Sequence, residues 1–203
     1  EFPLFQKEPN ETPIEQLLPG ALTEETTKAQ PLTIKEEREL IRILINYGFE
    51  MVSEEMHVCE YLLEEIKDLN FGTPIYQELL IHYKNALRHG TIPKFDYFLK
   101  IQNSKLKKEV IDMIAPTREV SKNWESKHQI FSKREADDLP ETTYKISLKL
   151  KSAYLKRMRN ELEEKIKVAK EDEIEELLTM HMELTQLKSQ IDRELGNVIP
   201  SRN

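Results

Sequence analysis

One cysteine, one tryptophan and five glycines are spread over 203 residues. A lone thiol, Cys59, closes no internal disulfide, which fits a reducing compartment. The glycines are scattered as single stops, so none builds a phosphate-cradling loop. Long apolar runs are missing; the longest are a few residues, too short to span a bilayer, and no segment has the make-up of a secretory signal. A basic excess is missing too. The net charge is −7, whereas a free-standing binder of a nucleic-acid backbone usually carries surplus lysine and arginine. The five histidines, His57, His82, His89, His128 and His181, fall in no HExxH pattern, and no paired CxxC is present. Cys59 lies in an apolar helical stripe, where a thiol is more simply core than nucleophile. No catalytic residue, metal ligand or cofactor-binding residue is therefore assigned. No run shows the alternation of a strand.

The most informative absence is local. From Glu141 to Leu195 there is neither glycine nor proline. Proline removes a donor from the helical ladder, and glycine costs roughly 1 kcal/mol per interior site relative to alanine. A stretch of this length, rich in Leu, Glu, Lys, Met and Ile, is written as helix.

Proline is instead concentrated at the start. Pro3, Pro9, Pro13, Pro19 and Pro31 are half of the ten in the chain, acids dominate there, and no apolar period develops. Residues 1–32 read as a disordered linker. The chain opens at Glu1 rather than at methionine, so it reads as a piece of a longer protein.

Helical signals begin at Thr33, which with Glu36 forms a capping box. Leu40, Ile41, Leu44 and Ile45 follow on one face, and Gly48 supplies a stop. A second helix is expected from about Ser53, with Met56, Cys59, Leu62, Leu63 and Ile66 as its stripe. Thr73 as cap and Pro74 at the first helical position start a third, which Gly90 ends. Pro93 opens a short fourth segment with Phe95, Phe98 and Leu99. A fifth carries Leu106, Val110, Ile111 and Ile114. A short helix is expected around Val120, Trp124 and Ile130, with Trp124 as a core anchor.

A long helix should start at Pro140. Its early part has two apolar faces, one through Tyr144 and Leu148 and one through Ile146, Leu150 and Tyr154. A helix with two such faces is gripped from two sides. Beyond Tyr154 the second face disappears and the helix should project. The pattern breaks at Lys170-Glu171-Asp172, and a new stripe follows through Ile174, Leu177, Met180, Leu184, Leu187, Ile191 and Leu195. Two stripes of similar length meeting at a polar point predict an antiparallel hairpin with its turn near 170–173. The alternative is one unbroken helix of about 80 Å. The expected fold is all-α: a compact helical bundle over 33–139, followed over 140–203 by a long helix and a C-terminal antiparallel hairpin.

Charge is unevenly placed along this arm. Residues 141–159 carry one acid, Glu141, against Lys145, Lys149, Lys151, Lys156, Arg157 and Arg159. Residues 160–178 are mostly acidic. Solvated helix faces explain such runs in the ordinary case; a polar rim around a docking surface explains them otherwise. Lys100, Lys105, Lys107 and Lys108 form a small basic cluster for which a solvated face is the default and weak nucleic-acid contact the exception. Leu178 and Met182 lie beside the last stripe, with His181 between them. Either they widen the seam or they face a partner, a use to which methionine is well suited.

A resemblance is carried by the string Asn70-Phe71-Gly72-Thr73-Pro74-Ile75-Tyr76-Gln77-Glu78-Leu79-Leu80 with Tyr83, Gly90, Ile92-Pro93 and Phe98-Leu99. It is similar to the helical module shared by the C-terminal domain of bacterial DNA primase and the N-terminal domain of the replicative DNA helicase. Glu37-Arg38-Glu39-Leu40-Ile41-Arg42-Ile43-Leu44 also resembles the start of the primase domain, and the long helix and hairpin favour primase. The resemblance spans roughly residues 33–197. It implies a helicase-binding domain in the bacterial cytoplasm that brings RNA primer synthesis to the replication fork. Its partner would be the N-terminal domain of the replicative helicase, with neither membrane nor substantial nucleic-acid binding. The family's zinc-binding and magnesium-dependent catalytic domains would lie upstream, leaving no enzyme chemistry or cofactor here. Expected contact residues are Leu178, Met182, Gln186 and Ser189 on the last helix and Arg157 and Asn160 on the long one. A structural adaptor or coiled-coil oligomeriser is the main competing expectation; an enzyme with a dispersed acidic metal site is a third.

Overall fold

The computed structural model describes residues 31–114 and 138–196. The expected helix around Val120, Trp124 and Ile130, and residues 1–30 of the linker expected over 1–32, lie outside those residues; positions 31 and 32 of that linker instead open the first helix. Among the described residues the helices are α1 (Pro31–Tyr47), α2 (Val58–Glu65), α3 (Pro74–Arg88), α4 (Phe95–Leu99), α5 (Ser104–Ile114), α6 (Leu139–Val168) and α7 (Glu171–Glu194). The fold is all-α apart from one small antiparallel pair of strands, β1 (Met51–Ser53) and β2 (Met56–His57).

α1 is the centre of the bundle. Leu40, Ile41, Ile43, Leu44 and Ile45 are all sealed, so the helix is apolar on most of its circumference and α2, α3, α5 and α6 pack around it. The same core takes in Val58, Cys59, Leu62 and Ile66 of α2, Leu79, Leu80 and Tyr83 of α3, Phe98 of α4, and Leu106, Val110 and Met113 of α5. Ile146 and Leu150 of α6 complete it, with Tyr154 packed at its edge. The second apolar face of the long helix is thus gripped by the bundle, as its spacing predicts.

Several expected starts and stripes shift. α1 begins at Pro31, and Thr33 is buried in its first turn rather than capping it. Proline suits a first helical turn because the amide it lacks has no partner there. α2 begins at Val58, not near Ser53, and the strands occupy the intervening residues. The Val58 and Cys59 amides donate to the carbonyls of Glu50 and Gly48, while Glu60 accepts from the His57 amide. The orphan donors of this helix are therefore satisfied by the loop that precedes it. That arrangement folds 51–57 into a hairpin and leaves Met56 exposed instead of in the α2 stripe. Ile111 is exposed as well, and Met113 takes the core position expected of it.

α3 starts at Pro74 as the Thr73-Pro74 pair predicts, but the cap is supplied from elsewhere. The buried Glu37 carboxylate of α1 accepts from the amides of Gly72 (2.8 Å) and Thr73 (3.0 Å). A negative group is favourable at this helix end, and these bonds lock α3 against α1. Glu109 of α5 then accepts from both Arg38 Nε (3.1 Å) and Tyr76 Oη (3.0 Å), joining three helices.

Candidate functional site

α6 leaves the bundle after Tyr154 and turns back as α7 through Ala169 and Lys170. Both residues have extended backbone, φ/ψ −70°/153° and −82°/159°. Any L-residue adopts that conformation, so the connection needs no glycine. The hairpin is thereby established over a single unbroken helix.

Its seam is a second core. Leu155 and Leu162 of α6 and Leu184 of α7 are buried, and Met158, Ile166, Leu177, Met180, Leu187 and Ile191 close around them. Three polar rungs brace it. Tyr144 Oη donates to Glu194 (2.7 Å), Ser152 Oγ to Asp192 (2.7 Å) and His181 Nε2 to Glu163 (3.1 Å). The His181 hydrogen bond, with Arg159 and Lys167 nearby, holds the Glu163 carboxyl below the usual range. Burial pushes the Asp192 carboxyl up, but hydrogen bonds from Lys188 and Ser152 outweigh it and the net direction is down. Burial and the bond to Glu194 push the Tyr144 phenol up to about 12.

Leu178 and Met182 belong to none of this. They are 46% and 58% exposed and lie across α7 from the seam residues, as ~100° of turn per residue requires. They do not widen the seam. Gln186 is exposed and Ser189 half-buried on the same side. Asn160 is half-buried. Arg157 differs from expectation: it is buried, with its guanidinium over the Tyr154 ring (4.6 Å) and near the Asn70 carbonyl (3.4 Å) and Glu161 (3.7 Å). It fastens the root of the arm to the loop before α3, so it lies apart from the outer face of α7. The exposures of Val168, at 83%, and of Glu171 and Glu175 extend the outer surface beyond the expected set. The break of the α6 stripe before Lys170 was the available signal for Val168.

Two clefts lie along α1 and the arm. One of 280 Å³ is lined by Lys35, Glu36, Glu39, Ile146 and Lys149; the other, of 390 Å³, includes Lys149, Ser152, Lys156, Lys188 and Asp192. Both set lysines against carboxylates, and neither contains histidine or cysteine. Burial pushes the Cys59 thiol up, the direction opposite to that of an activated nucleophile. Among the described residues no group of three or more His, Cys, Asp or Glu is placed to hold a metal ion, and no helix is long and apolar enough to cross a membrane.

A helical bundle that holds out a two-helix arm defines the class of this protein. Residues 24–198 match the family described as "Domain of unknown function (DUF8430)", and the chain belongs to that family. No curated protein and no solved structure matches the chain.

Proposed function

We propose that this chain is the helicase-interaction domain of a bacterial DNA primase, acting in the cytoplasm to bring primer synthesis to the replication fork. The observation that carries this reading is the pair Leu178 and Met182, left exposed on α7 while a separate set of residues seals the hairpin seam. A helix face not needed for folding is available for a partner, and an apolar pair at i,i+4 suits helix-in-groove docking. The resemblance of the Asn70–Leu99 string to the primase module supplies the identity of the partner, the N-terminal domain of the replicative helicase. The bundle serves as a rigid base, and the primer chemistry belongs to upstream domains of the parent protein.

Titration calorimetry of the full chain with the cognate helicase N-terminal domain tests this. Binding is expected, and L178A/M182A should weaken it by about tenfold, the effect of truncating central apolar anchors worth ~1–2 kcal/mol. Failure of the unmodified chain to bind contradicts the assignment. A chain that ignores the helicase but forms a stable oligomer through α6 and α7 would instead favour the coiled-coil adaptor.

A further inference from the structure

α7 carries a one-sided charge that the hairpin itself does not require. From Glu171 to Leu187 there are six carboxylates, Glu171, Asp172, Glu173, Glu175, Glu176 and Glu183, and no lysine or arginine. Glu171, Glu175, Leu178, Met182 and Ser189 follow one another at three-, four- and seven-residue steps, so they form a single stripe along the helix. The first four are exposed. Acids in a first helical turn complement the helix dipole, which accounts for Glu171, Asp172 and Glu173. It does not account for Glu175, which lies further along on the stripe of Leu178 and Met182 and makes no ion pair with a base among the described residues. The root of the arm has the opposite sign, with Lys145, Lys149 and Lys156 exposed on α6.

We propose that the acidic and apolar outer face of α7 docks a protein surface on which lysines and arginines surround an apolar strip. The inference rests on the recruitment reading and adds the chemistry of the partner. Leu178 and Met182 supply the desolvated centre, and Glu171 and Glu175, exposed on the same stripe, supply the rim. Phosphate backbones and anionic lipid carry the same sign as this face and are repelled by it, so the charge selects protein over either of those. Rim carboxylates act mainly on encounter rate and on the choice of partner, and their effect is screened by salt.

The test uses the full chain and the helicase N-terminal domain, with Kd measured at about 50 mM and about 300 mM NaCl, a range over which surface attraction is strongly screened. Binding of the unmodified chain should weaken about tenfold across that range. At low salt E171K/E175K should weaken binding about tenfold. E54K/E55K makes the same change of net charge on an exposed turn of the bundle and should change Kd less than about twofold, as a remote rim charge does. Neutral E171Q/E175Q should fall between the two, which separates charge from any loss of helix; circular dichroism monitors the fold of each variant. Salt-independent binding, or equal effects of the two reversals, overturns this inference and leaves the recruitment reading standing. Absence of binding by the unmodified chain removes both. Light scattering supplies the remaining outcome. A dimer of the unmodified chain that L178A/M182A dissolves would show that a second copy covers this face, which also overturns the inference.

Discussion

Gly48 shows how one missing side chain fixes a helix end. A Cβ there would lie 2.0 Å from Tyr83 Oη and 2.3 Å from the Leu44 carbonyl oxygen, and Tyr83 Oη donates to that same carbonyl at 3.1 Å. Sequence reasoning placed a stop at Gly48 through the left-handed helix end, but positive φ occurs at Gly90 and Gly196 instead. At Gly48 glycine is needed for space. Gly48→Ala should cost about 2–3 kcal/mol by overpacking, read as a lower urea midpoint at unchanged slope. Adding Tyr83→Phe should recover only part of it, since the Leu44 oxygen remains. Glu37 is a second such residue. Glu37→Ala leaves the amides of Gly72 and Thr73 without their acceptor and should destabilise the chain by about 2–3 kcal/mol. Glu37→Gln, which keeps one acceptor, should cost less. Neither role is legible from the sequence, because each depends on a contact between residues more than thirty positions apart.

At the scale of elements, apolar spacing located most of the helices because each buries one periodic stripe. α3 and its Thr73-Pro74 start, α4 and the two faces of α6 fall where the pattern puts them. The small strand pair did not, since β1 and β2 are too short for alternation to register and are held by the capping of α2. The hairpin turn was visible only as a charged interruption between two stripes. The arm has its own core, so it should respond separately from the bundle. Leu184→Ala should remove about 2–4 kcal/mol from the seam, the range for a buried leucine. Amide exchange should then quicken in α7 while α1 keeps its protection. The acidic limb of stability should also concentrate in the arm. Hydrogen bonds from Arg42 to Glu39 and from His181 to Glu163 depress those carboxyls, and Asp192 is lowered too. A carboxyl with a depressed folded pKa stabilises above its unfolded value of about 4 and loses that contribution as pH falls through the folded value. Two of the three, Glu163 and Asp192, bridge α6 and α7. Protection factors, which correct exchange for its own pH dependence, measured from about pH 6 down toward about pH 3, should therefore fall in α7 before α1. Simultaneous loss in both helices would contradict a separately held arm.

For the whole molecule, the essential division is between surfaces that the fold consumes and one that it leaves over. The bundle and the seam each close on themselves, joined by α6, whose first half lies in one core and second half in the other. Arg157 and the Lys151–Glu65 ion pair (2.6 Å) fix the arm to its base. The outer face of α7 takes no part in either core. Of the residues expected to meet a partner, Leu178, Met182 and Gln186 lie open on that face and Ser189 is half-buried on it, while buried Arg157 is structural. For Leu178 and Met182 the sequence leaves two readings open, because spacing places a residue round a helix but does not set how wide the buried stripe is; their exposure decides it. The burial of Arg157 could not be read from the sequence, since it depends on the loop at Asn70. Hydrogen–deuterium exchange of the full chain, with and without the replicative helicase N-terminal domain, tests the division most directly. Added protection should be confined to α7 and the tip around Val168, with α1 to α4 unchanged; protection in the bundle with none in α7 would contradict it.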